Sequence, residues 1–163
     1  MKTLVPILSV ALSATLACAS GSIEYDARSL SPMPLDSLPT LVAQVQAEVQ
    51  RLGYRPYPVD EVVPRMHHVG LEYSMTGGGI VYADREEGCG LFSLKAICNR
   101  VQILIVHLCA CDSTTAGTRV TVTAATSKRG GLLAPYRLER PSKTVRLAAD
   151  SLAQALGRRL TPP

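Results

Sequence analysis

The run from Val101 to Ala110, VQILIVHLCA, narrows the possible folds of this chain more than any other segment. Apolar residues occupy both of its alternating faces, so it reads as a central strand covered on both sides. After a polar turn from Asp112 to Gly117, Val120, Val122 and Ala124 alternate with Arg119, Thr121 and Thr123. The pair predicts a β-hairpin whose second strand has one wet face. Upstream, Val69, Leu71, Tyr73 and Met75 alternate with Gly70, Glu72 and Ser74, the period of another strand. Gly77-Gly78-Gly79 then leads into Ile80-Val81-Tyr82-Ala83. A strand rather than a helix N-terminus follows these glycines, which argues for a hairpin turn and against a phosphate cradle. Tyr54 to Val59 and Leu132 to Leu138 each contain proline and suit edge strands.

Two segments carry helical spacing. Leu38, Leu41, Val42, Val45, Val49 and Leu52 line one face between Ser37 and Leu52, with Asp36 or Ser37 as cap and Gly53 as stop. After Pro141-Ser142, Val145, Ala148, Ala149, Leu152, Ala155, Leu156 and Leu160 share one side, and Gly157 weakens the last turn. The order predicts an α+β fold, an antiparallel β-meander of about four to five strands with an N-terminal and a C-terminal helix packed on one face.

The chain opens with Met1-Lys2, an apolar run from Leu4 to Leu16 and the small residues around Cys18. That is the layout of an export signal, too short for a permanent membrane span. Ala14-Thr15-Leu16-Ala17-Cys18 resembles the lipobox of bacterial lipoproteins, although Thr15 stands where that family prefers Leu. The resemblance implies acylation of Cys18 and a stable two-chain anchor. The competing reading is cleavage after Ala19, which discards Cys18. From Cys18 onward, Ser, Pro and Gly are scattered without any period, as in a tether. The expected organisation is a signal peptide over 1–17, a flexible linker over 18–35 and one α+β domain over 36–163. In layout, this order resembles small α/β-sandwich envelope lipoproteins, such as those that assemble lipopolysaccharide or activate cell-wall synthases. No motif accompanies that likeness, so it carries over no residue roles.

Hydrophobic residues make up 47% of the chain and aromatic residues only 4%, with no Trp and one Phe. Scarce aromatic surface disfavours stacking on sugars or single-stranded nucleic acid. Charge is unevenly divided: residues 18–118 balance at −4, whereas residues 119–163 balance at +7. Arg137, Arg140, Lys143 and Arg146 are the candidates for docking on an anionic membrane or envelope partner; the alternative is ordinary solvated surface. An exported protein has little occasion to meet nucleic acid, and that partner is set aside.

Four cysteines follow Cys18, and an even count in an oxidising compartment favours disulfides. A strand over 101–110 separates Cys98 from Cys109 by on the order of 30 Å, whereas bridged Cα atoms lie within about 7 Å. Cys89 with Cys98 is the local pairing. Cys109 and Cys111, with His107 on the same strand, could hold a soft metal, or the two cysteines could form a local or longer-range disulfide. There is no GxSxG, HExxH or phosphate-loop motif, and Asp84-Arg85-Glu86-Glu87 reads as a solvated acidic loop. The expectation is a non-catalytic bacterial cell-envelope lipoprotein without a cofactor, facing the periplasm from the outer membrane and binding or helping to assemble another envelope component. The alternative is a metal-binding or thiol-redox lipoprotein that uses Cys109, Cys111 and His107.

Overall fold

Gly53 and Gly70 end two different helices in the same way. In helix α1 (Leu38–Arg51), Gly53 N–H donates to Gln50 O at 2.9 Å and Tyr54 N–H to Val49 O at 2.9 Å. In helix α2 (Val59–His68), Gly70 N–H donates to His67 O at 3.0 Å and Leu71 N–H to Met66 O at 2.8 Å. Each pair of bonds is a Schellman stop, which needs a left-handed residue, and the glycines have φ of 80° and 78°. At Gly70 a Cβ would also lie 2.8 Å from the Tyr136 carbonyl oxygen, so this turn is closed to larger residues.

The computed structural model describes residues 26–29, 38–72, 79–88, 99–110, 118–131 and 133–160. Its six strands are β1 (Asp26–Ser29), β2 (Arg55–Pro56), β3 (Gly79–Glu87), β4 (Arg100–Ala110), β5 (Thr118–Lys128) and β6 (Arg137–Glu139), and α3 (Lys143–Leu160) closes the chain. One antiparallel sheet has the order β1-β5-β4-β3-β2, with β6 also paired to β5. Strands β3, β4 and β5 form the meander, in register from Glu87↔Arg100↔Lys128 at one end to Gly79↔Leu108↔Val120 near the other. The outer edge of β5 is shared, with β1 opposite Thr121–Ala124 and β6 opposite Thr126–Lys128.

The fold class is α+β, and the first and last helices lie on one face as the periodicity predicts. Leu41, Val45 and Val49 of α1 and Val145, Ala149, Leu152 and Leu156 of α3 join Val81, Leu104, Val106 and Val122 in one core. Fully burying side chains of this kind stabilises by about 1.5–3 kcal/mol each. Ser142 caps α3 by accepting the Val145 N–H at 3.3 Å, and the helix continues through Gly157 to Leu160.

Several local expectations are corrected. Asp26–Ser29, expected within the linker, pairs as edge strand β1. The edge strand expected over Tyr54 to Val59 is only Arg55–Pro56, and Val59 already begins α2. Val69–Glu72 is turn and irregular chain rather than strand, and the rest of that expected strand lies outside the described residues. His67 and His68 form the end of α2. Helix α2 packs on the opposite sheet face, where Val62, Met66, Val69 and Leu71 meet Tyr82, Val101, Ile103 and Ile105. This layer gives β4 its second covered face, so the sheet is sandwiched. Among the described residues, no helix is long and apolar enough to cross a membrane.

Candidate functional site

Asp84 belongs to β3, not to a solvated loop, and its residue is only 3% exposed. Strand alternation puts Tyr82, Asp84 and Glu86 on the α2 face, while α2 supplies Arg65 one turn before its end. Arg65 Nε donates to Asp84 Oδ2 at 2.6 Å, and its terminal nitrogen to Glu86 Oε1 at 2.9 Å. The Tyr82 hydroxyl donates to Oδ2 at 3.0 Å and the Tyr57 hydroxyl to Oδ1 at 3.2 Å. Arg55 and Arg65 also lie over the Tyr57 ring, at 5.0 and 5.4 Å from its centroid. Burial works against the Arg65 charge, but the hydrogen bond and charge of Asp84 outweigh it and hold the guanidinium above its ordinary value. With both Asp84 oxygens engaged by protein donors, this cluster holds α2 against the sheet rather than presenting a free base.

A second polar group lies on the opposite face, under the end of α1. The Tyr54 hydroxyl donates to Gln102 Oε1 at 3.2 Å, the Gln102 amide donates to Glu87, and Glu87 accepts from Arg85 at 2.8 Å. The Arg85 guanidinium lies 5.0 Å from the Tyr54 ring centroid. Burial pushes Tyr54 up to about 12, with Arg85 opposing and Glu87 adding to the shift. Tyr57 and Tyr82 are also raised, first by burial and then by the Asp84 charge. Unfolded phenols titrate near pH 10, so between about pH 10 and 12 the unfolded chain sheds protons that the folded chain retains. Stability from these tyrosines is complete below pH 10 and declines as pH rises toward 12. The urea midpoint should therefore be lower at about pH 11 than at about pH 9. In the folded protein Tyr54, Tyr57 and Tyr82 should form phenolate late, and a single ionisation of all tyrosines near pH 10 refutes the assignment.

The basic docking candidates lie together along the chain at one corner. Arg137 is in β6, Arg140 follows it, and Lys143 and Arg146 belong to the first turn of α3; all four are exposed. Pro141 is buried between them, and Ser142 N–H donates to Thr126 Oγ1 at 3.0 Å, so the corner is pinned to β5. The first turn of α3 carries cations and no acid. A helix N-terminus favours the reverse, because its free N–H groups carry partial positive charge.

Cys18, Cys89, Cys98 and Cys111 lie outside the described residues. Cys109 is within β4, in register with Arg119. His107 is half-buried beside Ile80 and Thr121 in the register, and burial lowers its pKa. Among the described residues, no group of three His, Cys, Asp or Glu side chains is placed to hold a metal. The i, i+2 spacing puts Tyr82, Asp84 and Glu86 on one strand face, but nothing local in the sequence marks Arg65 as their partner. Comparison with protein-family models, curated proteins and solved structures finds no match to this chain.

Proposed function

We propose that this protein is a non-catalytic cell-envelope lipoprotein, anchored through Cys18 in the bacterial outer membrane, that docks on an anionic envelope component through Arg137, Arg140, Lys143 and Arg146. The observation that carries this reading is the β6–α3 corner, where four exposed cations lie within ten residues on backbone pinned by Ser142 and Thr126. Glu139 is the one acid within that stretch, and preorganised charge with a net balance of one sign attracts an anionic surface without further ordering of the backbone. Cys89 and Cys98 form a disulfide in this reading, which suits an exported chain.

Replacing the four cations with Gln tests the docking. Each basic residue near an anionic surface contributes about 1 kcal/mol, so the variant should bind anionic vesicles about 100-fold more weakly once screening is allowed for. Its melting temperature should not fall, and wild-type binding should weaken as salt rises. Salt-independent binding that is equal in both proteins sinks the proposal. In the same strain, Cys18→Ser should abolish incorporation of labelled fatty acid; unchanged incorporation places the anchor elsewhere.

A further inference from the structure

We propose that Arg100, Lys128 and Arg137 form a seat for one phosphoryl group of an anionic lipid headgroup, at the end of the sheet beside the N-terminus of α3. The proposal rests on the docking function above and names the group that the docking face takes in. The three residues are direct cross-strand neighbours on three adjacent strands, Arg100 opposite Lys128 and Lys128 opposite Arg137. Side chains so placed have Cβ atoms about 5 Å apart, and like charges in that position repel. Glu87 is opposite Arg100 on the other side, but its carboxylate oxygens are taken by Arg85 and Gln102. Among the described residues, none of the three cations is paired with a carboxylate. Arg100 Nε is buried and has no hydrogen-bond acceptor. A buried charged donor without an acceptor is costly, and it is an independent sign that an anion belongs there.

The position of α3 adds to this field. Thr126 lies two residues before Lys128, hence on the same face of β5, and it accepts the Ser142 N–H at 3.0 Å. The acid-free first turn of α3 therefore stands beside the row of cations, with the positive end of the helix dipole at that end of the sheet. Glu139, opposite Thr126 in the register, is exposed and is the acid nearest along β6. Burial is graded, from exposed Arg137 to half-buried Lys128 and Arg100. A tetrahedral phosphoryl group, with several oxygens and up to two charges, can engage two guanidinium forks and an ammonium together, whereas a planar carboxylate satisfies one fork. The exposed Arg140, Lys143 and Arg146 nearby suit a surface bearing many phosphates better than a single soluble ion.

The test uses the full chain and its Arg100→Gln, Lys128→Gln and Arg137→Gln variants. Inorganic phosphate at constant ionic strength should raise the wild-type melting temperature by about 2 °C, and each variant should lose that response. In phosphate-free buffer Lys128→Gln should melt higher than wild type, because its repulsion with Arg100 and with Arg137 is gone. Vesicles of phosphatidylcholine with phosphatidate should retain wild type about tenfold better than vesicles of equal charge made with a sulfated lipid, and Lys128→Gln should lose this preference. Lys128 and Arg137 sit near the surface, so their variants remain informative if Arg100→Gln fails to fold. Wild-type melting and vesicle preference in Lys128→Gln and Arg137→Gln overturn the seat. A phosphate response with no lipid preference overturns the headgroup as its source. An Arg140→Gln/Lys143→Gln/Arg146→Gln variant separates the two proposals: loss of vesicle binding there, with Lys128→Gln unaffected, leaves the docking face standing without the seat. Retained binding in that variant, with the phosphate response lost in Lys128→Gln, supports the seat and removes the wider docking face.

Discussion

Arg65→Met should destabilise the fold by about 3–5 kcal/mol, because it leaves the Asp84 carboxylate buried without its cation. The Arg65 side chain is 16% exposed and that of Asp84 3%, so neither charge regains much water in the folded state. The two phenols remain as donors, but neutral donors stabilise a carboxylate less than a guanidinium does. Adding Asp84→Asn, which keeps an acceptor for the tyrosines, should recover much of the loss. Urea unfolding of the single and double variants measures the coupling. A cost under about 1 kcal/mol, the value of a solvated surface pair, shows that α2 is not held by this contact.

Leu104→Ala should cost about 4–5 kcal/mol, the upper part of the range for deleting a buried leucine. Leu104 is fully buried beneath α1 and α3, and its cross-strand neighbours on both sides are small, Ala83 on β3 and Ala124 on β5. No large side chain beside it on the sheet can lean into the space, so the cavity persists. For a domain of this size the melting temperature should drop by more than about 10 °C. A loss below about 2 kcal/mol implies that α1 or α3 settles onto the sheet, contrary to the packing described.

The elements that could be read from sequence are those in which local pattern and tertiary environment agree. Val101 to Ala110 is apolar on both faces and is buried on both, as β4 between two helical layers. The spacing of Leu41, Val45 and Val49 predicts α1, and that of Val145, Ala149, Leu152 and Leu156 predicts α3; both helices use those faces. Helix α2 had signals too: Asp60 and Glu61 in its first turn, Val62 and Met66 on one face, and Gly70 at the left-handed stop. Against them stood Pro64 inside the helix and the strand-like alternation from Val69 to Met75. Burial of Val62 and Met66 against Ile103 and Ile105 and the ion pair to Asp84 outweighed the proline.

The candidate site divides along the same line. The exposed cations at 137, 140, 143 and 146 could be read because they are neighbours in the chain. The Tyr57–Arg65–Asp84 cluster and the row Arg100–Lys128–Arg137 could not, because each joins residues far apart in sequence through the register of the sheet. By itself, then, the sequence determined the apolar periods, and through them the central strand and two helices that any fold of this chain must bury. Only the tertiary structure decided that a third helix covers the second sheet face, and which charges are neutralised. Periodicity is a property of one segment, whereas burying a charge depends on which distant segment supplies its partner.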